Sequence, residues 1–157
     1  MSLKYYHAEP LANSLKSMVP LKEKGLPYES IYVDLHKFEQ HTEWFTAINP
    51  EGQVPVLDHD GTIITHSTVI NEYLEDEYPA PSLMPEDSAG RARVRMLEDY
   101  GDNIFLPQTN LILAELARLE GERDADKLGR SKAGIVRSLE WLNSSLEGRE
   151  YLVNDFS

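Results

Sequence analysis

The strongest constraint on the fold of this chain is one stretch, Val54-Pro55-Val56-Leu57, then Asp58-His59-Asp60-Gly61, then Thr62-Ile63-Ile64. Asp-Gly between two apolar, β-branched runs predicts an antiparallel hairpin, because a tight turn needs residues that tolerate positive φ. The flanking segments extend the pattern. Leu3 to His7 is rich in aromatics and reads as a first strand, and Ala8-Glu9-Pro10-Leu11-Ala12-Asn13 reads as a loop. Asn13 or Ser14 is suited to cap the next helix, which carries Leu15, Met18, Val19 and Leu21 and stops at Gly25. Pro20 inside it predicts a kink or a later start. Residues 28–33 alternate like a second strand, and a helical piece around Trp44, Phe45 and Ile48 ends at Asn49-Pro50. After the hairpin, Ser67 is placed to cap a helix whose Val69, Ile70, Tyr73 and Leu74 fall at helical spacing. The order is βαβαββα.

That order fits a four-stranded mixed sheet with helices packed on it, a thioredoxin-like α+β domain. Pro79-Ala80-Pro81-Ser82 breaks the pattern, so the predicted domains are residues 1–79 and an all-helical C-terminal domain, residues 80–157. In the second, one long helix is predicted from about Glu86 to Leu119 with a bend at Pro107, then a polar break, then a helix carrying Ile135, Leu139, Leu142 and Leu146. Residues 151–157 read as the approach to a further helix with Ser157 as its N-cap. The all-helical domain is therefore expected to be incomplete.

Composition narrows the chemistry. The 157 residues include no cysteine, which excludes a disulfide framework, a thiolate zinc site and a protein thiol nucleophile. The net charge of -12 comes from scattered acids and disfavours nucleic acid or an anionic membrane as partner. An anionic ligand would need local help from helix N-termini or placed cations. No apolar run approaches the ~20 residues that span a bilayer, and the first residues lack a secretory pattern. A cytoplasmic protein is expected.

Residue identities add a resemblance. Ile48-Asn49-Pro50-Glu51-Gly52-Gln53-Val54-Pro55-Val56-Leu57, with Ser67-Thr68-Val69-Ile70-Asn71-Glu72-Tyr73-Leu74 and Pro79, resembles the N-terminal domain of the glutathione transferases. Asn13-Ser14-Leu15-Lys16, Glu23-Lys24-Gly25-Leu26, Lys37-Phe38-Glu39-Gln40-His41, Trp44-Phe45 and Tyr73-Leu74-Glu75-Asp76 are similar to the bacterial glutathione-dependent β-aryl etherases. The resemblance covers about the first 80 residues; the helical remainder matches only in pattern. It implies a homodimer and glutathione as co-substrate, with no metal. The second substrate it implies is a hydrophobic electrophile, lying between the domains against Ala8 to Leu11 and residues such as Phe105 and Leu106.

Glutathione is a tripeptide with two carboxylates, an ammonium and a thiol titrating near ~8.5–9, like a free cysteine. A site must hold its cysteinyl backbone, neutralise both ends and favour the thiolate. In this family the bond corresponding to Val54-Pro55 is cis, which leaves the preceding N–H and C=O to take the cysteinyl segment as an added antiparallel strand. Ser67, at a helix N-terminus, suits the γ-glutamyl carboxylate. His66 stands where the family usually places an acid for the substrate's ammonium. Gln53 is a further donor, and His41, Gln40 and Lys37 are the candidates for the glycyl carboxylate. For thiolate stabilisation the candidates are Ser14 and Asn13 at the first helix's N-terminus, since Leu11 occupies the position of the usual serine or cysteine. The implied reaction is attack of bound thiolate on an electrophilic carbon, including β-aryl ether cleavage. The alternatives are a general detoxifying transferase for halides or epoxides, and a non-catalytic domain that keeps the fold for protein contacts.

Overall fold

The structure, a computed structural model, describes residues 2–8 and 12–153. It divides into two compact units, Met1–Leu83 and Met84–Ser157. In the first, β1 (Leu3–His7), β2 (Glu29–Tyr32), β3 (Val56–His59) and β4 (Thr62–Thr65) form one sheet in the order β2-β1-β3-β4. β1 runs parallel to β2 and antiparallel to β3, and β3 is antiparallel to β4. Asp60 and Gly61 turn the hairpin with φ of 49° and 91°, the positive pair its sequence predicts.

Side chains of a strand alternate between faces, and both faces of the central strands are covered. Leu3, Tyr5, Leu57 and Ile64 pack with Met18, Leu21, Ile70 and Leu74, drawn from α1 (Ala12–Glu23) and α3 (Ser67–Glu77). Tyr6, Ala8 and Val56 pack on the other face with Val33, Val54 and Phe45, the last from the short α2 (Glu43–Thr46). Tyr5 and Tyr6 thus serve two opposite core layers, and burial raises the Tyr6 phenol above its ordinary value.

The helices differ from expectation at their starts. α1 begins at Ala12, so Asn13 and Ser14 lie inside its first turn and neither is a cap; it continues through Pro20 and ends at Gly25, whose φ is 62°. There Leu26 N–H donates to Leu21 C=O and Gly25 N–H to Lys22 C=O, a glycine-closed helix end. His66, not Ser67, is the N-cap of α3. Two 3₁₀ turns, Leu35–Lys37 and Glu39–His41, precede α2 and have no periodic apolar signal. At the far end of α1, the fully buried Lys24 ammonium pairs with Glu75 at 2.7 Å and donates to Tyr78 C=O and Pro81 C=O at 2.8 and 2.7 Å.

The second unit is helical: α4 (Ser88–Tyr100), α5 (Leu106–Leu116) and α6 (Ala125–Ser145). Asp87 and Asp124 cap α4 and α6 through Gly90 N–H and Lys127 N–H. The predicted single long helix is interrupted by a π-helical turn at Gly101–Phe105. Pro107 has no N–H to donate, and the ladder widens just before it. Glu115, nearly buried, accepts from Asp124 N–H, Lys127 and Arg118, tying the end of α5 to the start of α6; those bonds hold its carboxyl below the ordinary range. Ser157 and the other residues after Val153 lie outside the described residues. Among the described residues no helix is long and apolar enough to cross a membrane.

Candidate functional site

The candidate residues of the first unit gather at one edge of the sheet because of its register. Tyr6 pairs with Val56 across the antiparallel β1–β3 ladder, so the end of β1 at His7 and the Ala8 that follows it lie beside the turn that leads into β3. β4 runs back to the same edge, and α3 begins there.

The turn into β3 carries the Val54–Pro55 bond, which is cis. Val54 and Pro55 are buried while Gln53 is exposed. Among the described residues no backbone group pairs with the Val54 N–H or C=O. Asn49, 2% exposed, shapes this turn from within. Its Nδ2 donates to Gln53 C=O at 2.8 Å, and its Oδ1 accepts from Glu51 N–H at 3.1 Å. In the sequence Asn49-Pro50 marks a helix end and belongs to the family motif, but an asparagine before a proline gives no sign of bonding forward.

Gly52 explains how Gln40 and His41 reach the same place. Its φ is 63°, and a Cβ there would stand 2.8 Å from His41 Nδ1 and 3.0 Å from Gln40 C=O. Only glycine combines that backbone with such close approach. The second 3₁₀ turn therefore abuts the cis turn, with His41 exposed and stacked on the exposed Phe38. The Gln40 Oε1 atom is buried with no hydrogen-bond partner among the described residues. Lys37 is engaged elsewhere, 3.0 Å from Asp34.

At the start of α3, Ser67 is the first helical residue and is 6% exposed. Its carbonyl accepts from Ser17 Oγ at 3.1 Å, which locks α3 to α1. His66 has φ of 65°, and its Nε2 lies 3.3 Å from Glu51 Oε2. The loop before the cis turn and the cap of α3 are thus joined by a carboxylate and an imidazole.

The start of α1 separates its two candidates. Ser14 is fully buried, its Oγ accepts from Ala8 N–H at 3.2 Å, and its carbonyl accepts from Tyr5 OH at 2.5 Å. Its side chain is turned inward, against the loop before the helix. Asn13, one residue earlier and about 100° away around the helix, is half-buried. Leu11, the third position weighed, lies outside the described residues, as do Glu9 and Pro10.

Residues 1–76 match the glutathione S-transferase N-terminal domain. Over 107 residues the chain is 52% identical to protein LigF of Sphingobium sp., a stretch that covers 67% of this chain and 42% of that protein. Over 156 residues it is 31% identical to the maleylacetoacetate isomerase of Pseudomonas aeruginosa, covering 98% of this chain and 70% of that one. The chain belongs to the glutathione S-transferase family. As a glutathione S-transferase it resembles the solved β-etherase LigF with a TM-score of 0.88 and 35% identity, covering 98% of this chain and 76% of that chain. It likewise resembles a glutathione S-transferase of Methylobacillus flagellatus with glutathione bound, with a TM-score of 0.83 and 27% identity over 98% of this chain and 75% of that chain. The chain spans less than half the length of the first curated relatives it matches, LigF at 42% and a Ralstonia maleylpyruvate isomerase at 45%.

Within this chain the sheet edge brings together Gln40, His41, Gln53, Val54, Pro55, His66 and Ser67, and it leaves Ser14 facing the core. Asn49 and Glu51 join the site without having been singled out. Both sit in the quoted motif, but their role depends on contacts across a turn, which spacing does not display.

Proposed function

We propose that the chain is the glutathione-binding part of a glutathione transferase that stabilises the bound thiolate for attack on an electrophilic carbon. The observation that carries this reading is the Val54 backbone before cis Pro55, which has no backbone partner among the described residues, at the sheet edge where α3 begins. The cysteinyl backbone of glutathione adds to Val54 as a short antiparallel strand. The γ-glutamyl carboxylate takes the N-terminal end of α3 and the Ser67 hydroxyl, and the glycyl carboxylate takes His41, Gln40 and Gln53. Asn13, in the first turn of α1, is the thiolate donor in preference to Ser14, whose hydroxyl is engaged inside the fold. The helix N-terminus adds ~0.3–1 kcal/mol to the same end.

The identity to LigF supports an aryl ether as electrophile. The thiolate forms a C–S bond to the ether carbon, the C–O bond breaks, and phenolate leaves and takes a proton from water. A cytoplasmic homodimer belongs to the same reading, with contact through residues 67–78 and the helix after them. The exposed Ile63 on β4 and Val69 on α3 support that surface.

The test is titration of glutathione into the full chain, following thiolate ultraviolet absorbance against pH. Wild type lowers the bound thiol's pKa by about a unit. Asn13→Ala abolishes most of that shift, whereas Ser14→Ala lowers stability and leaves the shift in place. Binding without any shift, and without turnover of aryl ethers or halides, would support a non-catalytic domain instead.

A further inference from the structure

The γ-glutamyl end of glutathione carries its carboxylate and its ammonium on one carbon, so a site that takes the first must also accommodate the second. The N-terminus of α3 suits only the carboxylate, because its outward-pointing first-turn N–H groups and its dipole repel a cation. An ammonium is a three-donor cation and needs an acceptor, best a charged one, when it leaves water. His66, directly before Ser67, offers no negative charge.

Glu51 does. Its carboxylate lies 3.3 Å from the His66 ring, on the loop that carries the cis turn. Its backbone is fixed by the Asn49 bond at 3.1 Å. The pair is half exposed, 52% for Glu51 and 56% for His66, so the carboxylate sits on the rim of the sheet edge and keeps room for a further donor. Loop and helix cap thus meet where the Glu51 carboxylate stands beside the residue that precedes Ser67.

We infer that Glu51 is the acceptor for the γ-glutamyl ammonium, and that His66 is a positioning residue that holds Glu51 at the N-terminal end of α3. This rests on the glutathione reading of the same edge. The consequence is selectivity for thiol peptides that begin with a free α-amino acid over those that lack the amino group.

The experiment titrates the full chain with glutathione and with glutaryl-cysteinylglycine, the same molecule without its amino group. Wild type is expected to bind glutathione about tenfold tighter than the analogue, the worth of one charge-assisted bond at a half-exposed site. Glu51→Gln is expected to erase that preference, weakening glutathione about tenfold and leaving the analogue within about twofold. His66→Asn, chosen because asparagine tolerates positive φ, loses part of the preference, and adding it to Glu51→Gln changes nothing more. Equal weakening of both ligands by Glu51→Gln, or no preference in wild type, overturns the assignment while leaving the glutathione reading intact. Wild type that binds neither ligand overturns both.

Discussion

Asn49→Ala is the sharpest test of how the cis turn is built. The side chain is 2% exposed and makes two hydrogen bonds inside the turn, to Gln53 C=O at 2.8 Å and from Glu51 N–H at 3.1 Å. A neutral hydrogen bond contributes about 1 kcal/mol net, so the pair contributes about 2 kcal/mol. Gln53 and Glu51 are exposed residues, and water can replace the lost partners, which keeps the total near that figure. The turn is then free to sample other shapes, and glutathione must order it on binding. That is expected to weaken glutathione about tenfold, the equivalent of ~1.4 kcal/mol. Asn49→Asp keeps the acceptor for Glu51 N–H and turns a carboxylate toward Gln53 C=O, so it isolates the second bond and loses at least half as much. Urea unfolding reads the stability, and calorimetric titration of glutathione reads the affinity. If Asn49→Ala binds glutathione within twofold of wild type and unfolds at the same urea concentration, Asn49 does not shape the turn and the argument fails.

Lys24→Met is expected to cost about 3 kcal/mol at neutral pH, because it strands the Glu75 carboxylate, which is 12% exposed, while leaving it the Ser82 and Leu83 donors. Burial by itself would raise the Glu75 carboxyl, but bonds from Lys24, Ser82 and Leu83 N–H outweigh it and hold the group below its ordinary 4.5. A lowered carboxyl contributes fully above that value, and the contribution is lost as pH falls through the folded one. In the variant burial dominates and acid favours the folded chain, so the gap in urea stability between the two proteins narrows from about pH 7 to about pH 4; a constant gap refutes the account. Gly52→Ala is expected to lower Tm and weaken glutathione. A side chain at positive φ costs ~1–2 kcal/mol, and its Cβ would stand 3.0 Å from the Gln40 carbonyl; an unchanged Tm counts against the close approach of that turn to His41.

The order of elements, the hairpin at Asp60-Gly61 and the glycine-closed end of α1 are legible in the chain, while the cis bond before Pro55 is implied by the family resemblance alone. Each legible feature follows from a local rule: positive φ needs Asp or Gly in a tight turn, a helix end prefers glycine, and apolar residues repeat with the period of their element. α3 starts one residue and α1 two to three residues earlier than the caps read from sequence imply, because serine and asparagine suit the first turn as well as the cap.

What spacing could not decide was which neighbour faces the site. Asn13 and Ser14 are adjacent in sequence and chemically alike at that helix end. The packing of α1 against the sheet, with Tyr5 and Ala8 engaging Ser14, turned one inward and left the other half-exposed. The same holds for Glu51 and His66, which belong to different elements and meet only because β3 and β4 bring the loop and the cap of α3 to one edge. Local conformation is a property of neighbouring residues. A site is a property of distant ones, and the folded sheet alone sets their distances.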